Sequence, residues 1–149
     1  MDVLLVEDEP LVGCMLATEL EHAARLSVAH AITAEEALGA LMRPGRCGAA
    51  LPPVLVTDIA LGSGMDGLAL ADEVRRRWPE VGVVFITGRQ PIMRGRSFGP
   101  RERLLLKPFA LGALTHAVRD LMVHVRRSSP QRPTTPPRLP RSKCEQRPG

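Results

Sequence analysis

Short apolar runs alternate with amphipathic stretches over the first 125 residues. Val3, Leu4, Leu5 and Val6 form a four-residue apolar run closed by Glu7, Asp8 and Glu9, the pattern of a strand buried on both faces of a parallel sheet. Pro10 suits a first helical turn, and Leu11, Met15, Leu16 and Leu20 recur at helical spacing, predicting a helix to about His22. A weaker strand follows over 28–31, and Thr33 with Glu36 three residues on reads as a capping box opening a helix through Met42. After a loop over 43–53, the pattern predicts a strand at 54–57, a turn region over 62–67 and a helix over 68–78 stopped by Pro79. Further strands are expected at 83–86 and 104–106. A last helix over 111–125 carries Leu114, Val118, Leu121 and Val125 on one face. The connection over 87–103 holds Gly88, Pro91, Gly95, Gly99 and Pro100, so only a short, distorted turn is expected there.

Strands alternating with helices specify an α/β fold, a parallel sheet covered on both faces by right-handed crossovers. Ligands of such sheets sit at the carboxyl ends of the strands. Those ends here carry Glu7 and Asp8, Asp58, Thr87 and Lys107. Carboxylates brought together repel unless a cation neutralises them, and hard oxygen ligands suit Mg²⁺ with several retained waters. Lys107 and Thr87 add a charge and a hydroxyl, so the set could hold a phosphoryl group on Asp58.

The same residues lie in segments that resemble the response-regulator receiver domain of two-component signalling: LLVEDEP at the start, VLVTDIALGSGMDGLAL around Asp58, VVFITG ending near Thr87, and LLLKPF with Lys107, Pro108 and Phe109. The resemblance covers about residues 1–125. It implies a doubly wound, flavodoxin-like fold of five parallel strands in the order 2-1-3-4-5; the fourth helix of that fold falls in the Gly- and Pro-rich connection over 87–103 and is expected to be short or distorted, a departure from the family. It also implies phosphorylation of Asp58 by a histidine kinase or phosphotransfer protein, and output through a downstream protein target. By position, Glu7, Asp8, Asp58 and the backbone carbonyl of Ala60 would hold Mg²⁺, with Thr87 as the switch hydroxyl and Lys107 pairing with the phosphoryl group. Pro108 would follow a cis peptide bond, and Met65, Asp66 and Gly67 resemble the turn into the third helix. The chain departs from the family pattern at Leu104, where Tyr or Phe is common. Such a domain is a signalling phospho-acceptor, assisting its own phosphorylation and dephosphorylation without being an enzyme in the ordinary sense.

Two other readings fit the same residues. A degenerate receiver would act as a phosphorylation-independent interaction module, and a basic tail would bind nucleic acid. The second arises from composition. Beyond residue 125 the chain holds 6 of its 14 prolines and only Leu139 and Cys144 as apolar residues, so 126–149 is expected to be a disordered tail. The formal charge of +4 divides unevenly: residues 1–125 carry 13 basic and 15 acidic side chains, whereas 126–149 carry 7 and 1. The tail lacks aromatics for base stacking, which disfavours nucleic acid. With no output domain expected after residue 125, a stand-alone receiver signalling by protein contact is the favoured reading.

The remaining features refine this picture. No apolar run reaches the roughly 18–20 residues of a membrane span, and the N-terminus is acidic where a signal peptide would be basic, so a cytoplasmic protein is expected. Cys14, Cys47 and Cys144 show no metal or disulfide spacing and read as reduced thiols, Cys14 as a packing residue. Arg75, Arg76 and Arg77 close a helix and are expected to offset its dipole. Five arginines between Gly88 and Leu106 face only Glu102, either as a solvated loop or as a docking surface for an acidic partner. His22, His30, His116 and His124 are scattered and are assigned no role.

Overall fold

A computed structural model of the chain describes residues 1–42, 51–62, 64–88 and 95–128, with 126–128 described by backbone alone. Strands β1 (Val3–Val6), β2 (Val28–Ala31), β3 (Val54–Asp58), β4 (Gly82–Thr87) and β5 (Glu102–Leu106) form one sheet in the order β2-β1-β3-β4-β5. Every pairing is parallel. Helices α1 (Pro10–Ala24), α2 (Ala34–Met42), α3 (Gly67–Arg77) and α4 (Leu111–Ser128) cover its two faces. This is the doubly wound, flavodoxin-like arrangement expected.

Alternation along the strands divides the interior into two cores. Leu4, Val6, Leu55, Val83 and Phe85 pack with Ala37 and Leu41 of α2 and Leu70 and Val74 of α3. Val3, Leu5, Val54, Val56, Val84 and Ile86 pack on the other face with Leu16 and Leu20 of α1 and Leu114, Val118 and Leu121 of α4. Each Val, Leu, Ile or Phe among them contributes about 1.5–3 kcal/mol of hydrophobic stabilisation when fully buried.

The local signals act where the chain places them. Thr33 Oγ1 accepts from the Glu36 amide (3.1 Å), while Glu36 Oε2 reaches back to the Ile32 amide (2.9 Å). Asp66 caps α3 by accepting from the Ala69 amide (2.8 Å). Two expectations are corrected on α1. Its buried stripe is Gly13, Leu16 and Leu20, whereas Leu11 and Met15 are exposed. Cys14, expected to pack, faces solvent, because it lies about 100° around the helix from buried Gly13. Helix α4 runs to Ser128, three residues past the expected end.

In the connection from β4 to β5, residues 95–101 form no helix and 89–94 lie outside the described residues. Side chains hold the described part down. Phe98 packs on Phe85 with ring centroids 6.1 Å apart, and the Arg96 guanidinium lies 5.1 Å from the centre of the Phe85 ring. Arg96 also bonds Asp72 (3.2 Å) and Glu102 (3.3 Å). Glu102 is buried and accepts in addition from Arg75 (2.8 Å) and the Gly99 amide (2.8 Å). Arg101 bonds the Pro79 carbonyl and Arg103 bonds Asp120. The described arginines of this stretch are thus internal anchors. Arg76 and Arg77 bind Glu73, so the end of α3 is held by ion pairs as well as by its dipole. Residues 43–50, 63 and 129–149, including most of the expected tail, lie outside the described residues.

Candidate functional site

Strand β1 ends against Glu7, β3 ends in Asp58, β4 ends in Thr87, and Lys107 follows β5. The alternation that separates the two cores also sorts these residues. Glu7, Asp58 and Lys107 continue the rows of Leu5, Val56 and Leu105, which face α1 and α4. Thr87 instead continues the row of Val83 and Phe85, which faces α2 and α3.

The first three meet. Lys107 Nζ lies 2.6 Å from Asp58 Oδ2 and 3.5 Å from Glu7 Oε2. Asp58 Oδ1 accepts from the Ala60 amide (2.8 Å), and Glu7 Oε1 accepts weakly from the Glu9 amide (3.3 Å). Glu7 and Asp58 are only 2% and 6% exposed, so both carboxylates have left bulk water while keeping an edge on the surface. Asp8 is exposed and accepts from the Gly62 amide (3.1 Å), tying β1 to the loop after β3. Thr87 is fully buried, and its carbonyl accepts from the Lys107 amide (2.8 Å). The Lys107–Pro108 bond is cis, as the resemblance implies.

The electrostatics follow from this crowding. Burial raises the Glu7 pKa above the ordinary carboxylate value and the Asp58 charge adds to it, with Lys107 and the Glu9 amide opposing. Burial lowers Lys107, but its hydrogen bond to Asp58 and the two carboxylate charges outweigh that and raise it. Three acids served by one ammonium leave the site net negative, with only hard oxygen donors. That donor set fits a hard divalent cation which keeps part of its water shell. Among the described residues no three His, Cys, Asp or Glu side chains form a ready-made cage: Asp8 is drawn to Gly62, and Lys107 bridges the other two acids.

A stability prediction follows for Glu7. A carboxyl whose pKa is raised in the fold stabilises it below the unfolded pKa and loses that contribution as pH rises through the folded pKa. Glu7→Gln stays neutral and retains it. The variant is expected to melt above wild type near neutrality, and thermal denaturation from about pH 4 to pH 7 should show the gap widening with pH. A constant or reversed gap would contradict the buried-charge account.

Two residues that the sequence does not single out support the site. Glu35, in the first turn of α2, accepts from the Met65 amide (3.0 Å) and so holds the loop between β3 and α3. The Met65 amide lowers its pKa. An acid in a first helical turn is ordinary, so nothing in the sequence marks it. His30 Nε2 lies 2.9 Å from the Glu7 carbonyl. Gly67 opens α3 so close to β3 that an added Cβ would lie 2.0 Å from the Asp58 carbonyl oxygen.

Comparison with known proteins agrees with this fold. Residues 3–119 match the response regulator receiver domain family. The chain is 41% identical over 91 residues to the nitrogen assimilation regulatory protein NtrX of Azorhizobium caulinodans, in a match that covers 58% of this chain and 18% of that protein. A response regulator receiver protein from Sinorhizobium medicae superposes with a TM-score of 0.70 at 27% identity, covering 83% of this chain and 94% of that one. The receiver domain of NtrX from Brucella abortus gives 0.62 at 32% identity, covering 81% and 98%. No helix among the described residues is long and apolar enough to cross a membrane. With five parallel strands in this order and a carboxylate–lysine cluster at their carboxyl ends, the chain belongs to the response regulator receiver domains of two-component systems.

Proposed function

We propose that the chain accepts a phosphoryl group on Asp58 from a histidine kinase or phosphotransfer protein and passes the signal to a downstream protein through its altered surface. The observation that carries this is the pairing of Lys107 Nζ with Asp58 Oδ2 at 2.6 Å beside a second buried acid. A carboxylate held this way is oriented by a cation and keeps an edge on the surface. An Asp58 oxygen attacks phosphorus in line, a new P–O bond forms as the bond from phosphorus to the donor imidazole breaks, and the leaving nitrogen takes up a proton. The Lys107 ammonium pairs with the charge that arrives, and the Thr87 hydroxyl is assigned a phosphoryl oxygen. Glu7, Asp8, Asp58 and the Ala60 carbonyl would hold Mg²⁺, which when bound neutralises phosphoryl charge.

A groove of about 370 Å³ beside Lys107, lined by Glu9, Val12, Met15, Leu16, Pro108, Phe109 and Leu111, supports the partner assignment. Leu11 stands 81% exposed on the same helix, so the donor protein would find apolar surface next to the acceptor. The test is intact-mass spectrometry after incubation with acetyl phosphate and Mg²⁺. One added phosphoryl group per chain, lost when Mg²⁺ is chelated beforehand, is the expected result. An unchanged mass, where a known receiver is labelled in parallel, would refute the reading.

A further inference from the structure

We infer that His30 is a positioning residue for the acidic site, acting through the peptide that joins Glu7 to Asp8, and that Gly13 is the opening in α1 which admits it. This rests on the reading of Glu7 and Asp8 as Mg²⁺ ligands. The last rung of the β1–β2 ladder pairs Val6 with Ala31. Past it, the Glu7 amide still donates to the Ala31 carbonyl (3.1 Å), but β2 then gives way to the turn into α2. The Glu7 carbonyl is met by a side chain instead, His30 Nε2 at 2.9 Å. A carbonyl only accepts, so Nε2 carries the proton and donates.

The peptide unit is planar and rigid, so holding the Glu7 carbonyl holds the plane from which both Glu7 and Asp8 project. One hydrogen bond therefore aims two consecutive carboxylates, Glu7 towards Lys107 and Asp8 towards Gly62. The imidazole reaches that carbonyl across the surface of α1. A Cβ on residue 13 would lie 2.2 Å from both Cε1 and Nε2 of the ring. Glycine inside a helix is a poorer helix former than alanine, and here it makes room for the ring.

This arrangement separates positioning from stability. In Gly13→Ala the helix gains propensity while the ring, the free end of a side chain, must swing away from the carbonyl. His30→Phe keeps a ring of similar size without a donor, and His30→Gln keeps an N–H. Mg²⁺ alone is the probe, titrated into the unphosphorylated protein and followed by amide chemical shifts of residues 7–9, with melting curves recorded alongside. His30→Phe and Gly13→Ala are each expected to weaken Mg²⁺ binding about three- to tenfold, the range of one lost hydrogen bond. The double variant should be no worse than either single one, since both remove the same contact. His30→Gln should recover much of the wild-type affinity. Acetyl phosphate labelling should need more Mg²⁺ for half its maximal rate but reach the wild-type rate at saturation.

Wild-type Mg²⁺ affinity in both His30→Phe and Gly13→Ala would overturn the inference while leaving the acceptor reading intact. Weakened binding only in proportion to a lowered melting temperature would overturn it as well, by reducing His30 to a packing residue. A wild-type protein whose residues 7–9 do not respond to Mg²⁺ would overturn the metal reading and this inference together.

Discussion

Asp58→Asn is expected to abolish phosphoryl incorporation from acetyl phosphate while leaving the chain folded. The amide keeps the shape of the carboxylate and one oxygen for the Ala60 amide, but an NH2 group replaces the oxygen that Lys107 bonds, and the amide is not a nucleophile towards phosphorus. Labelling should fall to background, a loss of at least about 100-fold, the scale on which removal of an activated nucleophile is felt. Stability should move little, because one opposing change offsets the other: the variant loses the Asp58 charge that Lys107 pairs with, and it relieves the repulsion that this charge exerts on Glu7. The same variant separates the acceptor from a phosphorylation-independent module. If Asp58→Asn retains labelling, another side chain is the acceptor. If labelling disappears but cellular output is untouched, phosphorylation of Asp58 is not the signal.

Gly67→Ala should be the most destabilising single-methyl change available near the site. Its Cβ would sit 2.0 Å from the Asp58 carbonyl oxygen and 2.8 Å from Thr57 Oγ1, and the first of these is backbone that cannot rotate away. The start of α3, tied to β3 by the Gly67 amide on the Ile59 carbonyl (3.1 Å), has to retreat. Forcing a methyl into a contact of this kind costs at least about 2 kcal/mol, a drop in Tm on the order of 5–10 °C for a domain of this size. Because the displaced strand end is Asp58 itself, the labelling rate should fall too. Gly39→Ala on α2 is the counterpart: a Cβ there meets nothing within 4 Å, and replacing a helical glycine should stabilise by about 0.5–1 kcal/mol. Differential scanning calorimetry of both variants checks the opposite signs. A Gly67→Ala protein that melts with wild type would show that α3 can shift freely against β3.

Much of this was legible along the chain, and the reasons are local. Apolar runs and helical spacing report burial within a few residues of one another, so all five strands lie where the pattern puts them, with ends displaced by two residues at most. Capping chemistry is local as well, which is why Thr33 with Glu36 marked the start of α2. The buried stripe of α1 departs from the local pattern for a related reason. Hydrophobicity alone favoured Leu11, Met15 and Cys14, whereas the helix turns Gly13 inward against the His30 ring and leaves those three exposed. The arginines between Gly88 and Leu106 read as a cationic surface because the acceptors of the described ones, Asp72, Glu102, Asp120 and the Pro79 carbonyl, are mostly distant in sequence.

By itself the sequence determined the order of elements, the parallel sheet and the residue types delivered to the carboxyl ends of its strands, because periodicity and turn chemistry act over short separations. Only the tertiary structure decided how those residues meet. Strand register and alternation put Glu7, Asp58 and Lys107 on one face and Thr87 on the row behind. The same register carries His30 to the Glu7 carbonyl across a glycine. Such contacts join residues 17 to 100 positions apart, and only the assembled sheet, packed on both faces, brings them together.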